Sequence, residues 1–179
     1  RTILADTLKP YRMIEDFVTG RDVPEIGAES NRQAVERLLV IEKGYAKEDI
    51  EVDAQIEFDV GKERYASQVD LVVSLDGGTM RVMAIKCVAG SLGSCEREIL
   101  AAARLLDPRY QIPFAVVSDG KTAVVLETIS GKKIGEGKTL PEITALPVGS
   151  SRELFGKLQL SGRRGEIATK ILKEINERL

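Results

Sequence analysis

Five apolar residues, Ile50, Val52, Ala54, Ile56 and Phe58, alternate with Glu51, Asp53, Gln55 and Glu57. A period of two puts the apolar set on one side of an extended chain and the polar set on the other, which specifies a half-buried strand and is incompatible with an amphipathic helix. After Val60-Gly61-Lys62 a second strand runs from Tyr65 to Leu75, and Asp76-Gly77-Gly78 turns the chain. A third stretch, Met80 to Val88, is almost continuously apolar, as expected for a strand covered on both faces. Three successive antiparallel strands commit the chain to a sheet.

Helical periodicity flanks these strands. Leu4, Leu8, Tyr11, Ile14 and Val18 predict a helix over 2–18 that stops at Gly20. A second helix is expected from Ser30 to Lys43, opened by the capping-box pattern Ser30-Asn31-Arg32-Gln33 and closed by Gly44. A third spans Ser91 to Leu106, with Cys95, Ile99, Ala102, Ala103 and Leu106 on one side, and Asp107-Pro108 ends it. Two further strands follow, Ile112 to Ser118 and Thr122 to Ile129, joined by Asp119-Gly120. Residues 130–150 read as loop with a short extended piece, and Ile167, Ile171, Leu172 and Ile175 stripe a last helix from about Gly165 to Leu179. The predicted class is α/β: a mixed sheet of about five strands flanked by helices, with an N-terminal helical extension over 1–24, a core over 25–146 and a C-terminal helical extension over 147–179.

Composition narrows the chemistry. At 179 residues with 43% hydrophobic content the chain fits a single core. It contains no histidine, which excludes Ser-His-Asp and Cys-His nucleophiles, His-containing zinc sites and imidazole acid/base work. The two cysteines, Cys87 and Cys95, can supply neither a disulfide framework nor a four-thiolate cage; they fit a reducing cytoplasm and read as small core residues. Any metal would be hard and oxygen-loving, such as Mg²⁺. No apolar run reaches the roughly 18–20 residues of a membrane-spanning helix, and no signal-peptide pattern is visible. Net charge is -2, but residues 131–179 carry ten basic residues against six acidic ones, a balance that points this part of the chain toward phosphates.

Four stretches carry a resemblance: Glu29-Ser30-Asn31-Arg32-Gln33, Lys43-Gly44-Tyr45 running into Glu48-Asp49-Ile50-Glu51, Gln68-Val69-Asp70-Leu71-Val72-Val73, and Pro113-Phe114-Ala115-Val116-Val117-Ser118-Asp119-Gly120. In their order and spacing, residues of about 25–146 resemble the N-terminal nuclease domain of type I restriction enzyme R subunits, within the PD-(D/E)XK nuclease superfamily. The resemblance implies a restriction-endonuclease-like core, a second-strand aspartate matching Asp70, and a third-strand acid-x-Lys triplet whose lysine matches Lys86. In such a site two carboxylates hold Mg²⁺ while the lysine orients water and stabilises the charged transition state. Alternation puts residues 84 and 86 on one face, and a three-residue turn at 76–78 would pair Leu75 with Thr79 and set Asp70 opposite position 84.

That position, however, is Ala84. A substitute carboxylate is expected from the next helix, Glu98 first and Glu96 second, making Asp70, Lys86 and Glu98 the candidate catalytic set and Asp70 with Glu98 the metal ligands. An Asp70–Lys86 ion pair without catalysis satisfies the same residues. Glu29 matches the family's first-helix acid and equally suits helix initiation, while Glu51, Asp53 and Glu57 read as solvated. Arg97, Arg163 and Arg164 are the candidate nucleic-acid contacts, and the flanking helical stripes offer a homodimer seam or a packing face. Three readings follow: a nuclease-fold domain that binds DNA with a degraded phosphodiesterase site, a Mg²⁺-dependent endonuclease with a migrated carboxylate, or a protein-interaction and oligomerisation domain.

Overall fold

The computed structural model describes residues 11–75 and 77–137. In chain order these form β1 (Met13–Glu15), β2 (Asp22–Pro24), helix α1 (Glu29–Arg37), β3 (Ile50–Val60), β4 (Glu63–Leu75), β5 (Met80–Cys87), helix α2 (Glu96–Leu105), β6 (Phe114–Ser118), β7 (Ala123–Glu127) and β8 (Lys133–Gly137). Strands β3 to β8 make one six-stranded sheet in sequence order, antiparallel throughout except for the parallel β5–β6 pair that α2 connects. The strand count exceeds the expected five because β8 forms where a short extended piece was read. The architecture is mixed α/β.

The two helices cover opposite faces. Val35 and Leu39, in and just after α1, pack with Leu71, Val73, Met83 and Ile85. Ile99, Ala102 and Ala103 of α2 pack with Val72, Ala84, Ala115 and Val117. With helices on both sides, Val82, Met83, Ala84 and Ile85 are all at most 1% exposed, which is the physical reason β5 is apolar without alternation.

Three expectations are corrected. The helix expected over 2–18 is replaced, over its last residues, by the antiparallel β1–β2 hairpin, in which Met13 pairs with Pro24 and Glu15 with Asp22. Asp16 accepts hydrogen bonds from the N–H and hydroxyl of Thr19, and Gly20 adopts a left-handed φ of 73°; this turn chemistry outweighs the helical spacing. The hairpin turn is hydrogen-bonded to α1 through Phe17 and Val18; residues 1–10, and the C-terminal helical extension of 147–179, lie outside the described residues. Second, no capping box forms: α1 starts one residue earlier than expected, Ala28 takes the N-cap position, and the Ser30 hydroxyl donates to Glu25. After Arg37 the helix continues as a single wide turn over Leu38–Glu42.

Third, the alternation along β3 does not bury one face. Ile50 and Val52 pack toward α1, whereas Ala54, Ile56 and Phe58 pack toward α2. The switch occurs at Asp53, whose φ of 55° makes it the one non-glycine with a left-handed backbone among the described residues. β4 switches in step, with Leu71 facing α1 and Val69 facing α2.

Helix α1 meets the sheet through Asn31, whose amide donates to the Val88 carbonyl, and through Gly120. A Cβ on Gly120 would stand 3.1 Å from both the Ala34 Cβ and the Asn31 carbonyl oxygen, at a φ of +90°. Gly120→Ala therefore combines strain with a clash against backbone, and should lower stability in urea unfolding by about 1–3 kcal/mol.

Candidate functional site

The β4–β5 register determines what stands beside Asp70. Leu75 pairs with Met80 rather than Thr79, and an irregularity between Val73 and Ser74 inserts Val82 as an extra residue, so Val72 pairs with Ala84 and Leu71 with Ile85. Continued by one step, this register brings Asp70 level with Lys86, not with Ala84 as the three-residue turn implied. The side chains meet as that pairing requires: Lys86 Nζ is 4.0 Å from Asp70 Oδ2 and 3.6 Å from Glu98 Oε1. Glu98 reaches the site from the first turn of α2. Among the described residues these are the carboxylates within ion-pair distance of Lys86, and Glu96 is not brought there.

Asp70 is further fixed by the Cys87 N–H, which donates to its Oδ2 at 2.7 Å. Burial raises the Asp70 carboxyl above its ordinary range, more than the Lys86 ammonium and the Cys87 N–H together lower it. Burial works against the charge on Lys86, but Asp70 and Glu98 overcome it and hold the ammonium above the usual lysine range. Lys86 is therefore a fixed cation and is unsuited to act as a neutral base. Burial pushes the Cys87 thiol well up, so it is an inert core group, and both cysteines are free.

The β3 carboxylates expected to be solvated have partners. Glu51 pairs with Arg81 and Glu57 with Arg64, both near the surface. Asp53 is different. Its backbone twist turns Oδ1 to within 2.8 Å of Arg32 Nη1. Arg32, 5% exposed, donates from Nε and Nη2 to both oxygens of Glu29 at 2.7 and 2.8 Å. Glu29, Arg32, Asp53 and Asp70 line a cavity of about 300 Å³ together with Val23, Pro24 and Ile26. Sequence reasoning missed Arg32 as the organiser of this cavity. The Glu29-x-x-Arg32-x-x-x-Glu36 spacing carried part of the signal, since acids three and four residues away share a helix face with the arginine.

Paired as they are, the described side chains do not present a ready-made magnesium site. Mg²⁺ takes oxygen ligands in octahedral geometry, commonly from one or two carboxylates and substrate phosphate. Ala84 offers no donor and is fully buried, Glu98 is ion-paired to Lys86, and Glu29 and Asp53 are both held by Arg32. Among the described residues, no three acidic or cysteine side chains converge as a metal cage. Of the candidate nucleic-acid contacts, Arg97 is exposed on α2 beside Glu98, whereas Arg163 and Arg164 lie outside the described residues. No helix among the described residues is long and apolar enough to cross a membrane.

Comparison with known proteins gives one match over most of the fold. The family described as Type I restriction enzyme R protein N terminus (HSDR_N) matches residues 27–144, about two-thirds of the chain. Short segments are similar to UvrABC system protein A: 65% identity over 46 residues in Pseudomonas putida, 64% over 42 in Pseudomonas aeruginosa and 62% over 42 in Xylella fastidiosa. These alignments cover 24–26% of this chain and only 4–5% of those proteins. No solved structure matches the chain.

Proposed function

Because the chain belongs to the type I restriction enzyme R protein N-terminal family, we propose that it is a nuclease-fold module that binds DNA without cleaving it. The observation that carries this reading is the fully buried Ala84 where the family resemblance places an acid, two residues before a lysine already closed by Asp70 and Glu98. In this reading Lys86 is neutralised by Asp70 and Glu98, and the exposed Arg97 presents its charge from α2 to the phosphate backbone. Arg163 and Arg164, outside the described residues, are proposed as further phosphate contacts on their charge alone. The free thiols and the restriction-enzyme family accord with a cytoplasmic setting.

A fluorescent duplex titrated at low salt tests the proposal, alongside plasmid incubated with Mg²⁺ or Mn²⁺. The expected result is binding that weakens steeply as salt rises, with no nicking, and a salt slope that falls by about one for Arg97→Ala. A specific observation favours a second reading: Glu98 does reach Lys86, as a migrated ligand would. Metal-dependent nicking abolished by Asp70→Ala would establish that endonuclease and overturn the first reading. Absence of binding to any nucleic acid at low salt would overturn both in favour of a protein-interaction domain.

A further inference from the structure

Behind the cavity lies a sealed group of acids. Asp16, from the β1–β2 hairpin, and Glu36, from α1, are both 0% exposed. Gln33 bridges them, its amide donating to Asp16 Oδ1 at 2.8 Å and to Glu36 Oε2 at 3.3 Å. The hairpin turn is bound to α1 by the same side chains: the Phe17 N–H donates to Gln33 Oε1 at 2.7 Å, and the Val18 N–H to Glu36 Oε1 at 3.0 Å.

The charges around this pair do not balance. The groups facing it are Glu29 and Arg32 from α1, Asp53 from β3 and the Cys87 thiol from β5, and Arg32 is the one cation among them. Its short hydrogen bonds go to Glu29 and Asp53, leaving it 3.7 Å from Asp16 and 3.8 Å from Glu36. One guanidinium shared among four carboxylates cannot offset the burial of two adjacent ionised ones. One must be neutral. Asp16 already accepts from the Thr19 N–H, the Thr19 hydroxyl and Gln33, a donor set that suits the ionised form.

We propose that Asp16 and Glu36 hold one proton between them, carried on Glu36, and that this proton latches the β1–β2 hairpin onto α1 and keeps the hairpin wall of the Asp70 cavity in place. The titration behaviour agrees with the geometry. Burial, reinforced by Asp16, pushes the Glu36 carboxyl up to about 8. Burial opposes the charge on Asp16, but hydrogen bonds from Glu36, Gln33 and Thr19 outweigh it and hold that carboxyl at about 2. The raised value means that the folded state binds the Glu36 proton more tightly than the unfolded chain does. The latch is therefore closed at neutral pH and weakens as pH rises through about 8. Since Val23 and Pro24 of the hairpin line the cavity, its release opens the approach to Asp70. This inference is independent of whether DNA binds there.

Amide hydrogen exchange on the full chain reads the latch, with hairpin protection expressed relative to β5 at each pH so that intrinsic pH effects cancel. Between pH 6.5 and 9.5 the wild-type ratio should fall by roughly tenfold or more, while Glu36→Gln, which donates its hydrogen bond at every pH, should keep a flat ratio. An equal fall in Glu36→Gln, or no fall in the wild type, would overturn the latch. Carbon-13 carboxyl NMR of the wild type needs no variant: Glu36 should titrate above neutrality, and a Glu36 already ionised at pH 6 would remove the shared proton.

Discussion

Arg32→Met is expected to cost the domain about 3–5 kcal/mol in urea unfolding at pH 7, the range for breaking a buried ion pair from one side. The methionine fills much of the arginine's volume, so the loss reports charge more than packing. Glu29 and Asp53 lose their hydrogen-bonded cation, and the Asp16–Glu36 pair loses the cation within ion-pair distance of both. Domains of this size are stable by about 5–15 kcal/mol in total, so the variant approaches the threshold of folding. Arg32→Lys should recover only part of the loss, because one ammonium cannot reproduce the fork that grips both Glu29 oxygens and Asp53 together. A loss under about 1 kcal/mol at pH 7 would put Arg32 among ordinary surface ion pairs and sink the account of the cavity.

The second large effect concerns Ala84. Its side chain is fully buried between Val72 of β4 and Ala115 of β6, on the face that α2 covers. Ala84→Glu places a carboxylate there with no cation of its own, which should lower stability by about 3 kcal/mol or more without metal. Residue 84 shares its face with Lys86, and Lys86 stands beside Asp70, so the new carboxylate and Asp70 can converge. Millimolar Mg²⁺ should therefore restore part of the lost stability and give a measurable binding isotherm that the wild type lacks. Asp70→Asn in the Ala84→Glu background should abolish that response. A variant whose unfolding ignores Mg²⁺ would falsify the view that one missing ligand separates this site from a metal-binding one.

These expectations rest on features unequally visible in the amino-acid order. The β3 and β5 strands were legible because period-two alternation and an unbroken apolar run each have few other physical solutions. Asp70 stood out because it interrupts an otherwise apolar strand, where a charge needs a partner, whereas Lys86 was reached through the family resemblance. Glu98 was reached through the family resemblance together with its position in the first turn of a helix. The N-terminal hairpin was misread because apolar residues three and four apart fit a helix as well as a short amphipathic ribbon. What decided between them was the capacity of Asp16 to bind Thr19 locally and Gln33 across the interface. The pairing of Asp53 with Arg32 was hidden for a related reason: alternation predicts which side of a strand a residue occupies only while the backbone stays extended, and its φ of 55° ends that rule.

The order of residues alone determined the sheet, its flanking helices and the absence of histidine. All are local properties of composition and period. Tertiary structure alone decided that Asp70 stands level with Lys86, that Arg32 holds Glu29 and Asp53, and that Asp16 and Glu36 are sealed together. Those outcomes depend on a one-residue register shift, a single left-handed residue and the burial of charges far apart along the chain. Each is settled by the free energy of the whole packed arrangement, which no local pattern encodes.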